Sequence, residues 1–397
     1  MSTTWPLRFG VAYAPIHNPR VNPTTHLHRD VEQIVRIEEL GFDEVWIGEH
    51  HSTGYEIIGS PELFLSYVAA KTQRIKLATG VISVPYHHPF MVCERMILLD
   101  HLSRGRAIMG LGPGALPSDV AMWGIDPMDM RPRLEEGLEA ILALLRYDGR
   151  VTLKTDWFEL TEAALQLRPY QDPGFEIVVT ALTSAAGPAL AGRLGVSMLS
   201  LSAADAKAAG VLGRHWSIVE EQAAEHGTTV SRRNWRLAGP MHLAETEEEA
   251  RRDVLYGMHS WRDYRKLGPL AAEFPRDADP DSFVDYLVNS GAAVIGTPDQ
   301  AIEQIRTIQE ISGGFGTFLL WAHDWATNEA TMHSYELFAH EVMPHFQNQT
   351  KSTIEAEEWL KLHAAEGFRQ ATAARAKATA DYEAKQAAKK EATVAVG

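Results

Sequence analysis

The sequence predicts a (β/α)8 TIM barrel with insertions and a C-terminal helical tail. Three observations lead there. The apolar period switches from strand spacing to helix spacing eight times along the chain. Polar and ionisable residues collect just after the strands, where barrels of this kind keep their active sites. The 397 residues, 45% hydrophobic and 22% charged, are enough to bury a large core. An open doubly wound sheet is the rival arrangement, and the count of eight argues against it.

Each unit has its own signals. Leu7–Ala14 reads as a buried strand, and Leu27, Val31, Ile34, Val35 and Leu40 then fall on one helical face that Gly41 ends. Phe42–Glu49 is the second strand. Ser60-Pro61-Glu62 reads as an N-cap, a first-turn proline and a first-turn acid, opening a helix to Ala70. Ile75–Ser83 is the third strand, with a helix over Phe90–Leu102. Arg106–Leu111 is the fourth, followed by a Gly/Pro loop and a helix over Arg131–Leu145. Residues 148–170 read as an irregular insertion. Ile177–Ala181 and Val196–Leu201 are strands five and six, with helices over Ala185–Leu194 and Ala203–Glu225. Trp235–Ala244 is strand seven, and Thr246-Glu-Glu-Glu249 has capping-box spacing. Residues 265–295 form a second insertion. Thr297-Pro-Asp-Gln300 opens a helix, Thr317–Ala322 is strand eight, and Glu329–Val342 is the closing helix. The barrel domain spans 1–346. The tail, 347–397, is rich in Ala, Lys, Glu, Gln and Arg and reads as a polar helix.

Composition excludes several classes. One cysteine, Cys93, rules out a disulfide framework and any multi-thiolate metal site. No basic leader or long apolar run is visible, so neither a signal peptide nor a membrane span is expected, and a cytoplasmic location follows. Thirty-seven basic against 52 acidic residues give a net charge of −15, which disfavours nucleic acid as a partner.

The chemistry is sought at the strand ends. Strand two ends in Glu49-His50-His51, strand three in Thr79-Gly80-Val81-Ile82-Ser83, strand four in Gly110-Leu-Gly-Pro-Gly-Ala115 and strand eight in Trp321-Ala-His323-Asp324-Trp325. An imidazole titrates near neutral pH, so His50 and His51 at a strand end suit proton transfer better than a purely structural role. His26-x-His28 and His87-His88 add imidazoles. However, His26 lies well beyond the first strand and strands five and six end without histidine, so no metal centre is expected. Gly110–Ala115 formally matches a dinucleotide fingerprint, but it lies in the fourth unit, and Pro113 and Pro117 disrupt the helix it should open. Gly112 and Gly114 instead let a flat ligand approach the backbone. Ser184, with Ala185 behind it, opens the helix after strand five. Arg131 sits in the first turn of another helix, where a cation is disfavoured unless an anion is near. One phosphate, a flat body and an apolar mouth point to FMN.

With those residues in view, the chain resembles the bacterial luciferase-like flavin monooxygenases, in particular their limonene 1,2-monooxygenase-like branch. The resemblance rests on GFDEVWIGEHHS (41–52), EIIGSPELF (56–64), LATGVISVPYHHP (77–89), GLGPGALPSDVAMWGIDP (110–127) and SYELFAHEVMPHF (334–346). It implies a luciferase-like barrel that takes reduced FMN from a separate flavin reductase and O2 as co-substrate. Oxygen then adds at flavin C4a to give a peroxide or hydroperoxide. It further implies that Glu49 and His50 are the acid and the catalytic imidazole, with His51 beside them. Gly80-Val81 matches a non-prolyl cis peptide beneath the flavin ring, Thr79 precedes it, and Arg131 and Ser184 match phosphate contacts. Departures make the site more apolar: Gly112 stands where luciferase has a reactive cysteine, Pro113 where it has an arginine, Leu116 where it has a tyrosine and Thr183 where it has an acid. Those changes suit a small apolar organic substrate, with epoxidation of a cyclic alkene such as limonene as the specific reading. Leu116, His323, Asp324 and Trp325 are the candidate substrate contacts, and a homo-oligomer, a dimer or larger, is the expected assembly. A deazaflavin-dependent oxidoreductase or a non-catalytic flavin-binding protein on the same fold are the alternatives.

Overall fold

The structure is a computed structural model that describes residues 5–114, 116–146, 148–201, 206–266 and 278–394. Eight strands form the barrel: β1 Arg8–Tyr13, β2 Glu44–Ile47, β3 Lys76–Thr79, β4 Ala107–Gly112, β5 Glu176–Ala181, β6 Ser197–Ser200, β7 Arg236–Gly239 and β8 Thr317–Ala322. Each pairs in parallel with the next, and β8 returns to β1 with Gly10 opposite Leu319. The sheet is therefore closed, which removes its edges and decides against the open alternative.

Inside the ring, Ala12, Trp46, Ala78, Ile108, Val178, Leu199, Ala238 and Leu319 pack together, so the interior is a filled core. Two glycines make that filling possible. A Cβ on Gly110 would lie 2.0 Å from the Thr79 carbonyl oxygen, and one on Gly10 would lie 2.5 Å from that of Glu44. At the amino-terminal end, fully buried Arg236 bridges two carboxylates. Its Nε and Nη2 donate to Glu44 at 2.8 and 2.9 Å, and Nη1 and Nη2 both donate to Glu176 at 2.7 Å. The larger apolar cluster lies between the strands and the surrounding helices, as alternation along the strands requires.

The elements depart from the sequence reading where a proline or a long-range pairing intervenes. Strand seven stops at Gly239. Pro240 offers no N–H to the ladder, and Met241–Leu243 beyond it pairs with Val294–Gly296 instead. Strand three stops at Thr79, and Ile82–Ser83 pairs separately with β4. The insertion at 148–170 is ordered as an antiparallel hairpin, Val151–Lys154 with Glu159–Ala163. In the second insertion, Pro280–Asn289 is a helix and residues 267–277 lie outside the described residues. The helix expected from Ala203 is described from Ala206 to His226, with 203–205 outside the described residues. Pro117 opens a short helix, Pro117–Met122, where the sequence reading had it disrupting one, because a first-turn proline lacks only an N–H that would have no partner anyway. Neither Ser60 nor Ser184 caps a helix with its hydroxyl.

The chain divides into two compact units between Gln347 and Asn348. The second contains one 44-residue helix, Lys351–Val394, whose side chains from Lys351 to Lys390 are exposed apart from half-buried Ala364. Among the described residues, no helix is long and apolar enough to cross a membrane.

Candidate active site

Past the end of β2, successive residues turn to opposite sides, so Glu49 and His51 meet while His50 faces elsewhere. Glu49 is buried. Its Oε1 accepts from His51 Nε2 at 2.9 Å and His87 Nε2 at 2.7 Å, and its Oε2 accepts from the Ser83 N–H at 2.7 Å. Burial pushes this carboxyl up, but the hydrogen bonds from His51, His87 and Ser83 outweigh it and hold it below its ordinary value. The bond to Glu49 in turn raises the pKa of His51.

His50 has different partners from those its neighbour in sequence suggested. Its Nδ1 lies 3.1 Å from Asp119 Oδ2 and its Nε2 lies 3.1 Å from Glu56 Oε2. An ionised carboxylate can only accept, so the hydrogen bond to Asp119 puts a proton on Nδ1, while Glu56 stands at ion-pair distance from Nε2. Burial pushes the His50 pKa down, yet Glu56 and Asp119 raise it above the ordinary imidazole value. Glu49, its neighbour in sequence, also raises it, but only behind those two. Asp119 also accepts from the His51 N–H at 3.1 Å and from the Ser52 hydroxyl, and Glu56 accepts from the Tyr264 hydroxyl.

Glu56, Asp119, His87 and Tyr264 were missed in the sequence. Asp119 stands in the first turn of the Pro117–Met122 helix, where an acid reads as an ordinary partner of the helix dipole. Glu56 opens one of the quoted motifs, but nothing local marks it as facing His50.

The strand-end glycines meet close neighbours. The Gly80–Val81 peptide is cis. A Cβ on Gly112 would meet Val81 Cγ2 at 2.7 Å and Thr180 Oγ1 at 2.9 Å. Gly114 has φ 78° and lies against Tyr86, whose buried hydroxyl has no partner among the described residues. Tyr86 stacks on Trp123 with centroids 5.5 Å apart, and the His51 ring stands edge-on to both. Thr79 is fully buried. Its hydroxyl donates to the Gly110 carbonyl at 2.8 Å and accepts the Gly110 N–H at 2.9 Å, so it ties β3 to β4. Arg131 is exposed, and its Nη2 donates to Ser184 Oγ at 3.1 Å, next to exposed Ala185. Among the described residues, no carboxylate lies within ion-pair distance of Arg131.

The strand-eight residues separate. The His323 ring lies parallel to Trp321 at 6.0 Å and close to Trp261 and Trp325. Trp325 is buried in a second apolar cluster with Ile16, Met258 and Phe283. Asp324 Oδ2 accepts from Arg29 Nη2 at 2.6 Å. Leu116 is buried just before the short helix.

Titratable groups collected at the carboxyl end of a closed parallel barrel define a barrel enzyme. The chain matches the family model described as luciferase-like monooxygenase over residues 7–313, and it belongs to that family. It is an enzyme of the oxidoreductase class. The chain is 48% identical over 338 residues to limonene 1,2-monooxygenase from Rhodococcus erythropolis, covering 85% of this chain and 86% of that one. It is 39% identical over 361 residues to 4-hydroxyprotoasukamycin monooxygenase from Streptomyces nodosus subsp. asukaensis, covering 89% and 96%. Among solved structures, the oxygenating constituent of 3,6-diketocamphane monooxygenase from Pseudomonas putida, in complex with FMN, matches with a TM-score of 0.71 at 25% identity, covering 85% and 98%.

Proposed function

We propose that this enzyme binds reduced FMN delivered by a separate flavin reductase and uses O2 to insert one oxygen atom into a small apolar molecule. The specific reading is epoxidation of a cyclic alkene such as limonene. The observation that carries it is the pair Arg131 and Ser184 at the mouth of a barrel of this family: an exposed guanidinium bonded to a hydroxyl, with no described carboxylate to neutralise it. That is a donor set for a phosphate dianion. The backbone fits the rest of the cofactor, since Gly112 and Gly114 leave open the space that side chains would fill beside Val81 and Tyr86.

Bound reduced FMN supplies the electrons that activate O2 for transfer of one oxygen atom. The chain's own residues do the remainder. Arg131 and Ser184 would hold the phosphate. His50, whose charged form Asp119 and Glu56 favour, places a transferable proton at the mouth. Glu49 locks His51 and His87 in place rather than moving a proton itself. Tyr86 and Trp123 wall the site with stacked rings and limit water. The substrate class is supported by the relative named limonene 1,2-monooxygenase and by the apolar Gly112, Pro113 and Leu116. The reading includes a homo-oligomer acting in the cytoplasm and a barrel domain, 1–346, distinct from its tail.

The test supplies the full chain with FMN, a flavin reductase and limonene. Oxygen uptake is followed, and products are identified by gas chromatography and mass spectrometry. Limonene-dependent formation of an epoxide supports the reading. Flavin oxidation without any oxygenated product from limonene or other cyclic alkenes would overturn it, as would anaerobic hydride transfer to a deazaflavin.

A further inference from the structure

We infer that His17, His26 and Asp324 form a site for one divalent transition-metal ion that joins the loop after β1 and the helix Pro23–Glu39 to the segment just past β8. One ligand atom from each residue lies within 4.8 Å of the others, and this is the group of that kind found among the described residues. Both histidines are buried, at 1% and 6% exposure, and their rings lie nearly parallel with centroids 4.4 Å apart. His17 Nδ1 and His26 Nε2 are buried without a hydrogen-bond partner among the described residues.

The tautomers make this arrangement informative. His17 Nε2–H donates to Asp30 Oδ2 at 3.0 Å, which leaves Nδ1 as a lone pair. His26 Nε2 is likewise buried with no hydrogen-bond partner among the described residues. Two unpartnered ring nitrogens and a carboxylate oxygen therefore converge on one point. Acceptors repel one another unless a cation lies among them, and two neutral imidazoles with a carboxylate match the donor set of zinc and its first-row neighbours.

The surroundings resemble those of a built site. Asp30 orients His17 through its far nitrogen, as carboxylates do behind metal-bound imidazoles. Arg29 holds Asp324 Oδ2 at 2.6 Å and reaches Asp30 Oδ1 at 3.4 Å, fixing both acids. Ligand atoms about 2.1 Å from a tetrahedral ion lie about 3.4 Å apart, so separations of up to 4.8 Å must close by about 1.4 Å at most. A water completes the coordination. Arg131 and Ser184 follow β4 and β5, which stand opposite β1 and β8 in the ring of strands, so the ion is separate from the phosphate cradle. Its role is structural.

The experiment strips the full chain with a chelator and titrates it with Zn2+, measuring bound metal after equilibrium dialysis. A parallel titration with Co2+ follows the visible ligand-field bands. The expected result is one tightly held Zn2+ per chain, a Co2+ spectrum of low-coordinate nitrogen and oxygen ligation, and a higher melting temperature with Zn2+. His26→Gln and Asp324→Asn should each weaken binding by more than the roughly 10–100-fold that loss of an outer partner costs. His363→Gln, on the exposed tail helix, should leave it unchanged. Absence of saturable binding at one ion per chain in the unaltered protein overturns the inference, whatever the variants do. So does unaltered Zn2+ affinity in folded His26→Gln and Asp324→Asn, which would mean that the ion binds elsewhere.

Discussion

Replacing Asp119 by Asn tests the charge state of His50 with little change of shape. The Asn carbonyl can still accept from the His51 N–H and the Ser52 hydroxyl, as Asp119 does. Its NH2 group would instead face His50 Nδ1, which must then give up its proton to accept. An ion pair with charge centres about 4 Å apart is worth about 4 kcal/mol at an effective dielectric of about 20. The His50 side chain is 22% exposed, so solvent screens part of that. A shift of about 1–2 pKa units downward is the expectation, at about 1.4 kcal/mol per unit. Glu56→Gln should lower the value comparably through Nε2, and the two together should let burial dominate and bring His50 below about 6.5. The assay is a pH titration of histidine-labelled protein by heteronuclear NMR, with the His50 signal assigned from His50→Gln. The limb of the oxygenation pH profile governed by His50 should move the same way. If His50 titrates alike in the unaltered protein and both variants, the two-carboxylate clamp does not set its charge, and the argument fails.

Other expectations follow from the same geometry. His50→Ala should keep the fold and FMN affinity but cut coupled oxygenation by about 10²–10⁴, with hydrogen peroxide released instead; normal coupling would reassign the role to His51 or His323. Arg131→Ala should weaken FMN binding by about 1.5–3 kcal/mol and leave riboflavin, which lacks the phosphate, almost unaffected, as read by fluorescence quenching. Arg236→Ala should cost about 3–5 kcal/mol in denaturant unfolding, because Glu44 and Glu176 are left buried without their counter-ion. In pH-dependent melts, the raised His50 and His51 give stability that is complete below about 6.5 and is lost as pH rises through their folded values. The lowered Glu49, Asp119 and Glu176 give stability that is present above about 4 and is lost as pH falls through their folded values. Greatest stability should therefore lie between about 4.5 and 6.5 as far as these groups decide it, and a profile rising steadily to pH 9 would contradict them.

By itself the sequence determined the eight strand–helix units, the strand-end position of Glu49-His50-His51, and the glycines of the fourth unit. These are local properties: the period of apolar residues, a proline in a first turn and the need for a residue without a side chain all act within a few positions. Even so, Pro240 shows the limit of periodicity. Trp235–Ala244 reads as one apolar run, yet the missing N–H divides it between two sheets. Partnerships were decided only when the barrel closed. His50 finds Asp119 69 positions away, Arg236 finds Glu44 192 positions away, and Arg29 finds Asp324 295 positions away. Adjacent residues, by contrast, were driven apart, because a chain leaving a strand points neighbours to opposite sides, and so Glu49 holds His51 rather than His50. The same closure put His26, which the sequence places far beyond its strand, against His17 and Asp324. Charge pairing depends on distance in space, and the ring of strands sets that distance at a range no local pattern can encode.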